Sequence, residues 1–273
     1  MKDKMKPEKM LIVRKMSALE YYYNGSHKSR AIKESGRCHN QSVQKIERML
    51  GRAGKEFRVA TRKELSEQLI NGYDAVISAG GDGTVIAVAA YNLNVPQLNL
   101  KTDPRSAGAL CQKDISRSLN SFLNGKYGIE EWQRQDVYLN GKFMGRVSNE
   151  TCIGERLRFD KLARYKLRFL DAESGSIRQE NQSGSGIIIA TGTGSGAWPA
   201  LFKPYPKNRP YFEFRTLLQH SGEIKQGKTS YVRIDYRGHE GKFSMDTQEC
   251  DLPRDSRLEI KLSGNPLKVI VPN

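Results

Sequence analysis

The sequence has no long apolar run: nothing approaches the ~18 residues of a membrane-spanning helix. The longest candidates, such as Gly186-Ile-Ile-Ile-Ala190, have the length of a buried strand. Its four cysteines, Cys38, Cys111, Cys152 and Cys250, stand singly with no pair at metal-ligand spacing. That argues against a disulfide framework and for a reducing compartment. The four histidines, His27, His39, His220 and His239, show no ligand spacing with one another or with cysteine, so each reads as a surface or hydrogen-bonded histidine and no metal site is expected. The amino-terminal Met1-Lys-Asp-Lys-Met-Lys-Pro7 lacks the apolar centre of a secretory signal. With Asp3, Glu8 and no early Arg or Ser it also makes a poor transit peptide, and a cytoplasmic location is expected. Internal repeats, low-complexity tails and the RNA-recognition, zinc-finger and helix-turn-helix signatures are missing as well.

What remains is a globular chain of 273 residues, 37% hydrophobic and 27% charged, long enough for two lobes. Lys plus Arg is 45 against 30 Asp plus Glu, a net charge of +15. So large an excess points to an anionic partner: nucleic acid, an anionic membrane surface or a phosphate-rich small molecule.

The hydrophobic pattern divides the chain. Lys9 to Lys15 reads as a buried first strand, and Tyr21 to Gly36 as a loop or irregular helix. Helical spacing runs from Asn40 through Val43, Ile46 and Leu50 until Gly51 and Gly54 stop it. A second strand follows at Phe57, and then a helix from the Thr61/Glu64 capping box to about Leu69. Asp74 to Ser78 is a third strand, Thr84 to Ala90 a helix, and Val95 to Leu100 a fourth strand. Strands alternating with helices predict an α/β lobe with a parallel sheet over residues 1–115. A helix at Ile115–Leu123 ends at Asn124-Gly125. Beyond it come a hairpin across Asn140-Gly141 and short strands at Arg164–Leu170, Gly186–Ala190, Ser230–Tyr236, Arg257–Leu262 and Leu267–Val271. They predict a β-rich, sandwich-like lobe over 116–255, with the tail 256–273 a candidate to pack back on the first lobe.

Two segments carry chemistry. In the first, the apolar strand from Ala75 runs into Gly80-Gly81-Asp82-Gly83-Thr84 and a helix then begins. Glycines at the carboxyl end of a parallel strand let a phosphate approach the backbone, and the helix N-terminus supplies N–H donors. An aspartate held there can serve as general base or help organise Mg²⁺; the bland alternative makes Asp82 a helix N-cap. In the second, the strand Gly186–Ala190 leads into Thr191-Gly-Thr193-Gly194-Ser195-Gly-Ala-Trp198. Its hydroxyls and N–H groups suit phosphate or ribose oxygens, and Trp198 suits stacking on a base. The bland alternative is a loop with Trp198 filling the core. Gly222 to Thr229 satisfies the formal P-loop pattern, but Ser230 to Tyr236 alternates like a strand where a helix is required, so the match is rejected. The run Arg156-Leu-Arg-Phe and Arg164 to Phe169 alternates basic with apolar residues and reads as a solvated strand face.

The order of Gly80 to Thr84, Ser148-Asn149-Glu150 and Thr191 to Ser195 resembles the NAD kinase family, most closely the mitochondrial-type kinases of animals and their bacterial relatives. Lys101-Thr102-Asp103-Pro104 resembles the family's Asn-Thr-Asp-Pro stretch, and Asn149 to Glu155 its Asn-Glu-x-x-Ile-Gly-Glu segment. The likeness runs from Lys9 to about Trp198 and more weakly to the end. The chain departs from the pattern at Ser185, where many bacterial members carry aspartate, and at Met245-Asp246-Thr247-Gln248, where the family has an Asp-Gly turn.

The resemblance implies a two-lobed homo-oligomeric kinase, dimer or larger, that transfers the γ-phosphate of ATP, with Mg²⁺, to the 2′-hydroxyl of the adenosine ribose of NAD. It makes Asp82 the base and gives the ribose to Asn149 and Glu150. Gly80, Gly81, Gly83 and Thr84 fall near the triphosphate, and Thr191, Thr193, Gly194, Ser195 and Trp198 near nucleotide. Lys101 and Arg105, beside the fourth strand, are candidates to neutralise phosphate. Two alternatives stand beside it. Lipid kinases of the diacylglycerol and sphingosine type share Gly-Gly-Asp-Gly-Thr, and a non-catalytic nucleotide-binding protein needs no base.

Overall fold

The computed structural model describes residues 7–17, 20, 29–157, 161–198 and 200–273. The tyrosine-rich stretch 21–28, with His27, and residues 158–160 of the basic run lie outside the described residues. The chain forms two compact units, one of residues 1–131 and 267–273 and one of 132–266. Among the described residues no helix is long and apolar enough to cross a membrane.

The first unit is built on a six-stranded sheet. Strands β1 (Lys9–Arg14), β2 (Glu56–Thr61), β3 (Ala75–Gly80) and β4 (Gln97–Lys101) pair in parallel in the order β2-β1-β3-β4. Beyond β4 lie β17 (Leu267–Pro272), parallel to β4, and β5 (Tyr127–Trp132). Residues 10–13 of β1 are wholly buried because both faces of the sheet are covered. Met10 and Ile12 pack with α1 (Arg30–Arg52) and α4 (Ile115–Leu123), while Leu11 and Val13 pack on the other face with Ile70 and Val88.

Helix α1 begins ten residues before the Asn40 start expected from apolar spacing. Its buried stripe is Gly36, His39, Val43, Ile46 and Leu50. The 3-4 spacing continues into residues that are not apolar, so hydrophobic periodicity alone stops short. The helix expected from Thr61 to Leu69 is two elements. The Thr61/Glu64 capping box forms, with Thr61 N–H donating to Glu64 at 2.7 Å, but it caps only a 3₁₀ turn (Arg62–Glu64). Leu65 is extended, and Ser66 then caps α2 (Glu67–Asn71) by accepting Leu69 N–H. Helix α3 (Asp82–Tyr91) starts two residues ahead of Thr84.

The second unit is an antiparallel sheet ordered β15-β14-β8-β11-β12-β13-β16-β6-β7, where β16 is Arg257–Leu262, with β9 on β13 and β10 on β9. The expected hairpin joins β6 (Gln135–Leu139) to β7 (Lys142–Val147). Asn140 and Gly141 take φ of 51° and 82°, the pair of left-handed residues a two-residue turn of this hand requires. Strand β9 (Ala163–Asp171) buries Ala163, Tyr165, Leu167 and Phe169 and turns Arg164, Lys166 and Arg168 outward, the basic stripe foreseen. The P-loop lookalike lies partly in β13 (Gln226–Tyr236), which takes Lys228 and Thr229 into a strand. Strand β11 (Gly186–Ala190) is buried on both faces: Ile187 and Ile189 join the main core, Ile188 packs on Phe202. Next to β11 run β8 (Glu150–Glu155) and β12 (Phe212–Leu217), and β8 carries on its other side the hairpin of β14 (Glu240–Met245) and β15 (Gln248–Pro253).

Candidate active site

In the first unit the strand order reverses between β1 and β3, and in sheets of this kind ligands bind beyond the carboxyl ends of the strands at that point. Gly80, Gly81 and Asp82 stand there, at the end of β3. Gly81 has no room for a side chain: a methyl group would lie 2.4 Å from the Ala107 carbonyl oxygen, and at Gly80 one would strike Thr84. Asp82 is not the N-cap; Gly81 is, and Asp82 is the first residue of α3. Its carboxylate reaches to the loop after β4 and accepts N–H from Leu110 at 2.9 Å and Ala109 at 3.1 Å. Each oxygen holds one backbone donor and keeps a lone pair for another, which fixes the orientation of the group without consuming it. Gly83 is exposed, and Thr84 is buried against Gly80.

The same end of the sheet holds a buried polar chain. Lys15, following β1, pairs with Asp103 at 2.9 Å, and Asp103 also accepts from Ser35 on α1 at 2.5 Å. Burial alone would raise the Asp103 carboxyl, but Ser35, Lys15 and the Arg105 N–H outweigh it and hold the group down to about 2. His39 is enclosed, with Nε2 on the Lys15 carbonyl at 2.9 Å and Nδ1 on the Thr102 hydroxyl at 2.7 Å. A carbonyl can only accept, so Nε2 carries the proton and Nδ1 accepts from Thr102. Burial, reinforced by the Lys15 charge, lowers His39 to about 4, so it is neutral at physiological pH. Of the two cations proposed for phosphate, Arg105 is engaged with Glu34 at 2.7 Å and the Ala31 carbonyl, both on α1. Lys101 lays its stem against Gly108 and makes no ion pair among the described residues.

In the second unit the residues from Ser148 to Glu150 meet the turn after β11. The Thr191 hydroxyl donates to the Ser148 carbonyl at 2.5 Å and accepts N–H from Thr193 and Gly194, capping the short helix α5 (Gly192–Ser195). Thr191 N–H donates to the Asn149 carbonyl at 2.8 Å. Ser195 is spent internally too, donating to Gly192 O and accepting from Tyr205 N–H. Thr191 and Ser195 therefore build the turn, and Thr193 alone of the three has a buried hydroxyl with no partner among the described residues. It is joined in that state by Ser148 Oγ, Asn149 Oδ1 and Glu150 Oε2. Buried polar atoms are nearly always hydrogen-bonded, so four orphans in one short stretch of the fold point to a polar ligand.

Asp246 stands in the two-residue turn between β14 and β15. Its carboxylate accepts N–H from Ser148 at 2.9 Å, Asn149 at 2.7 Å and Glu150 at 3.3 Å. Burial and the charge of Asp246 push Glu150 up to about 7, opposed by a hydrogen bond from Trp198. Burial raises Asp246 as well. Asp246 has donors on both oxygens while Glu150 keeps one bare, so of the two carboxylates Glu150 is the one that more readily takes a proton. Near neutral pH it can thus donate to a ligand hydroxyl as well as accept from one. Trp198 does not fill the core: it is 41% exposed.

The comparisons agree with this geometry. No family model matches the chain. It is 28% identical to human mitochondrial NAD kinase 2 over 213 residues, 60% of this chain and 47% of that protein. The chain spans about half the length of that relative and of its rat and frog counterparts. Two solved structures share the fold over nearly the whole chain. The NAD kinase from Archaeoglobus fulgidus, in complex with ATP, aligns over 96% of this chain and 92% of its own, with a TM-score of 0.68 at 17% identity. Yeast NADH kinase, complexed with NADH, aligns over 98% and 85%, with a TM-score of 0.73 at 13% identity. In sequence and in fold the chain is similar to NAD kinases.

The likeness turns the departures noted in the sequence into structural questions. In the turn that replaces the NAD kinase Asp-Gly pair, only Asp246 has a left-handed φ, of 52°; Thr247 does not. No glycine is needed after the aspartate. Ser185 lies half-buried between β10 (Ile177–Gly184) and β11, its N–H donating to the Leu217 carbonyl at 2.8 Å. The resemblance did not single out Asp246, Lys15 or His39 as site residues. For Asp246 the signal was an aspartate in a tight turn between two polar strands; for His39 it was the continuation of the α1 stripe.

Proposed function

We propose that the protein transfers the γ-phosphate of ATP to the adenosine-ribose 2′-hydroxyl of NAD, forming NADP. The observation that carries this reading is the set of unpartnered buried atoms on Ser148, Asn149, Glu150 and Thr193. A ribose diol offers two donors and two acceptors in a small volume, and this cluster offers both kinds of partner. Asn149 and Glu150 hold the ribose. Asp82, oriented by the Ala109 and Leu110 N–H groups, accepts the proton of the attacking hydroxyl. In phosphoryl transfer positioning and charge neutralisation supply most of the acceleration, with a base worth about 10²- to 10⁴-fold.

Mg²⁺ enters with ATP. Among the described residues no three His, Cys, Asp or Glu side chains are grouped to hold an ion. The triphosphate would therefore supply ligands, with Asp82, the acid of the strand-end motif, to orient them. Lys101 is the better of the two proposed phosphate cations, since Arg105 is committed to Glu34. A homo-oligomer in the cytoplasm completes the reading. A lipid acceptor gains no support from a buried cluster of hydrogen-bonding groups.

The test is incubation with ATP, Mg²⁺ and NAD, coupled to an NADP-specific dehydrogenase, with NADH and polyphosphate as alternative acceptor and donor. The expected outcome is NADP from NAD and ATP; none from folded protein rejects the reading.

A further inference from the structure

The backbone of Ser148 and Asn149 is clamped from two sides. Both carbonyls are taken by Thr191, through its hydroxyl at Ser148 and its N–H at Asn149. Both N–H groups are taken by Asp246, at 2.9 and 2.7 Å. The side chains are left with unpartnered atoms. A segment whose backbone is satisfied and whose side chains are not is held in place for something else to bind.

Asp246 does this where the sheet stops. The β14–β8 ladder runs to Met245 opposite Thr151 and pairs no further. Beyond it the Asp246 carboxylate stands in for the missing rungs, gathering three successive N–H groups, and its own N–H returns to the Glu150 carbonyl at 3.0 Å. Three consecutive N–H groups converging on one oxyanion form a rigid nest. Asn149 and Glu150 thereby leave the sheet in a fixed conformation. Burying a carboxylate costs several kcal/mol unless its bonds are good, and apolar contacts could have closed an ordinary hairpin turn here.

We propose that Asp246 is the positioning residue of the nucleotide site, fixing the Ser148–Glu150 backbone so that Asn149 and Glu150 present their side chains to the ribose of NAD. The proposal rests on the NAD kinase reading above. Asp246 touches no substrate and acts through the residues it holds. Its charge also faces Glu150 and Arg134, and Arg134 in turn faces Asp136 and Arg146, so removing Asp246 changes the electrostatics of Glu150 as well as its placement.

The experiment compares wild type with Asp246→Asn, of the same volume, and Asp246→Ala. It reads KM for NAD and for ATP, NAD affinity by calorimetry between pH 6 and 8.5, and melting temperature. The NAD constants of Asp246→Asn should rise at least about tenfold, the scale of losing one hydrogen bond to a charged group. KM for ATP should stay within about twofold. The midpoint of the pH dependence of NAD affinity should move to lower pH, because Glu150 no longer faces a second carboxylate. A purely structural role would move both substrates together with the melting temperature and leave that midpoint in place. That outcome, or unchanged NAD constants in Asp246→Asn, overturns the proposal. Should Asp246→Ala melt below the assay temperature, Asp246→Asn carries the test. A wild type that binds NAD, with Asp246 dependence, but makes no NADP removes the kinase reading and leaves the positioning role; one that binds no NAD removes both.

Discussion

Gly194 lies against Asn149 so closely that a methyl group on it would sit 2.3 Å from the Asn149 carbonyl oxygen and 2.9 Å from its Cα. The glycine of the second motif is thus explained by a neighbour in the protein, with no appeal to ligand. The contact is backbone, which cannot swing aside. Gly194→Ala must displace the segment that carries Asn149 and Glu150, so kcat/KM for NAD should fall by about 10²-fold, the cost of misplacing a bound substrate by an ångström. Steady-state kinetics check it. Gly83→Ala provides the contrast in stability: a methyl there meets only Arg62 Nη1 at 3.7 Å, so the melting temperature should hold or rise.

Asp82→Asn keeps the volume of the side chain and one acceptor for the Ala109–Leu110 loop. Turnover should drop about 10²- to 10⁴-fold, the range for loss of a general base, with KM for NAD little altered. Undiminished kcat in a folded variant would remove Asp82 from the chemistry.

If the protein binds NAD as proposed, Glu150, pushed up to about 7, should make NAD affinity depend on pH in the physiological range. The ionised carboxylate accepts more strongly from ribose hydroxyls than the protonated one, so affinity should rise as pH increases through 7 and level off above 8. Glu150→Gln should bind more weakly at high pH and lose the inflection. Calorimetric titration at several pH values decides it.

His39 links pH to stability. Its folded value of about 4 lies below the ordinary 6.5, so the unfolded chain takes up a proton that the folded protein refuses. Stability is fully present above 6.5 and is lost as pH falls toward 4, by about 3 kcal/mol in all. Melting curves from pH 7.5 to 4 should show this loss, and a His39→Gln variant should melt with a shallower dependence over that window. Equal slopes would assign the acid sensitivity to other groups.

Elements with a strong local signature were legible in the sequence. The Asn140-Gly141 hairpin, the Ile115–Leu123 helix and the Gly186–Ala190 strand stand where turn chemistry and periodicity put them. The edge hairpin of β14 and β15 was not legible, because its strands alternate polar residues with a few buried ones. Strand β8 was hidden for a different reason: Glu150 to Glu155 reads as a motif, and Gly154 and two acids mask its β character. At the site, residue types announced the two glycine segments, but not which hydroxyls serve the fold and which stay available. Thr191, Thr193 and Ser195 look alike in one dimension. Only partners in space separate the cap, the orphan and the brace.

The place of β17 bears on how the protein is made. The edge of β4 receives β17, which is synthesised only after the entire second unit, and β5 stands beyond it. On the ribosome the first four strands can pair as soon as they emerge, and Gln112 then covers the end of β4 at Asn99 and Lys101, yet the start of β4 at Gln97 must wait for Val269 of β17. Such an edge invites strand exchange between nascent neighbours. The second unit can fold during that wait, and β17 then closes the sheet like a bolt. Chaperone demand should accordingly peak late in synthesis, and a chain cut short before Leu267 should aggregate although every residue of both glycine motifs has been made.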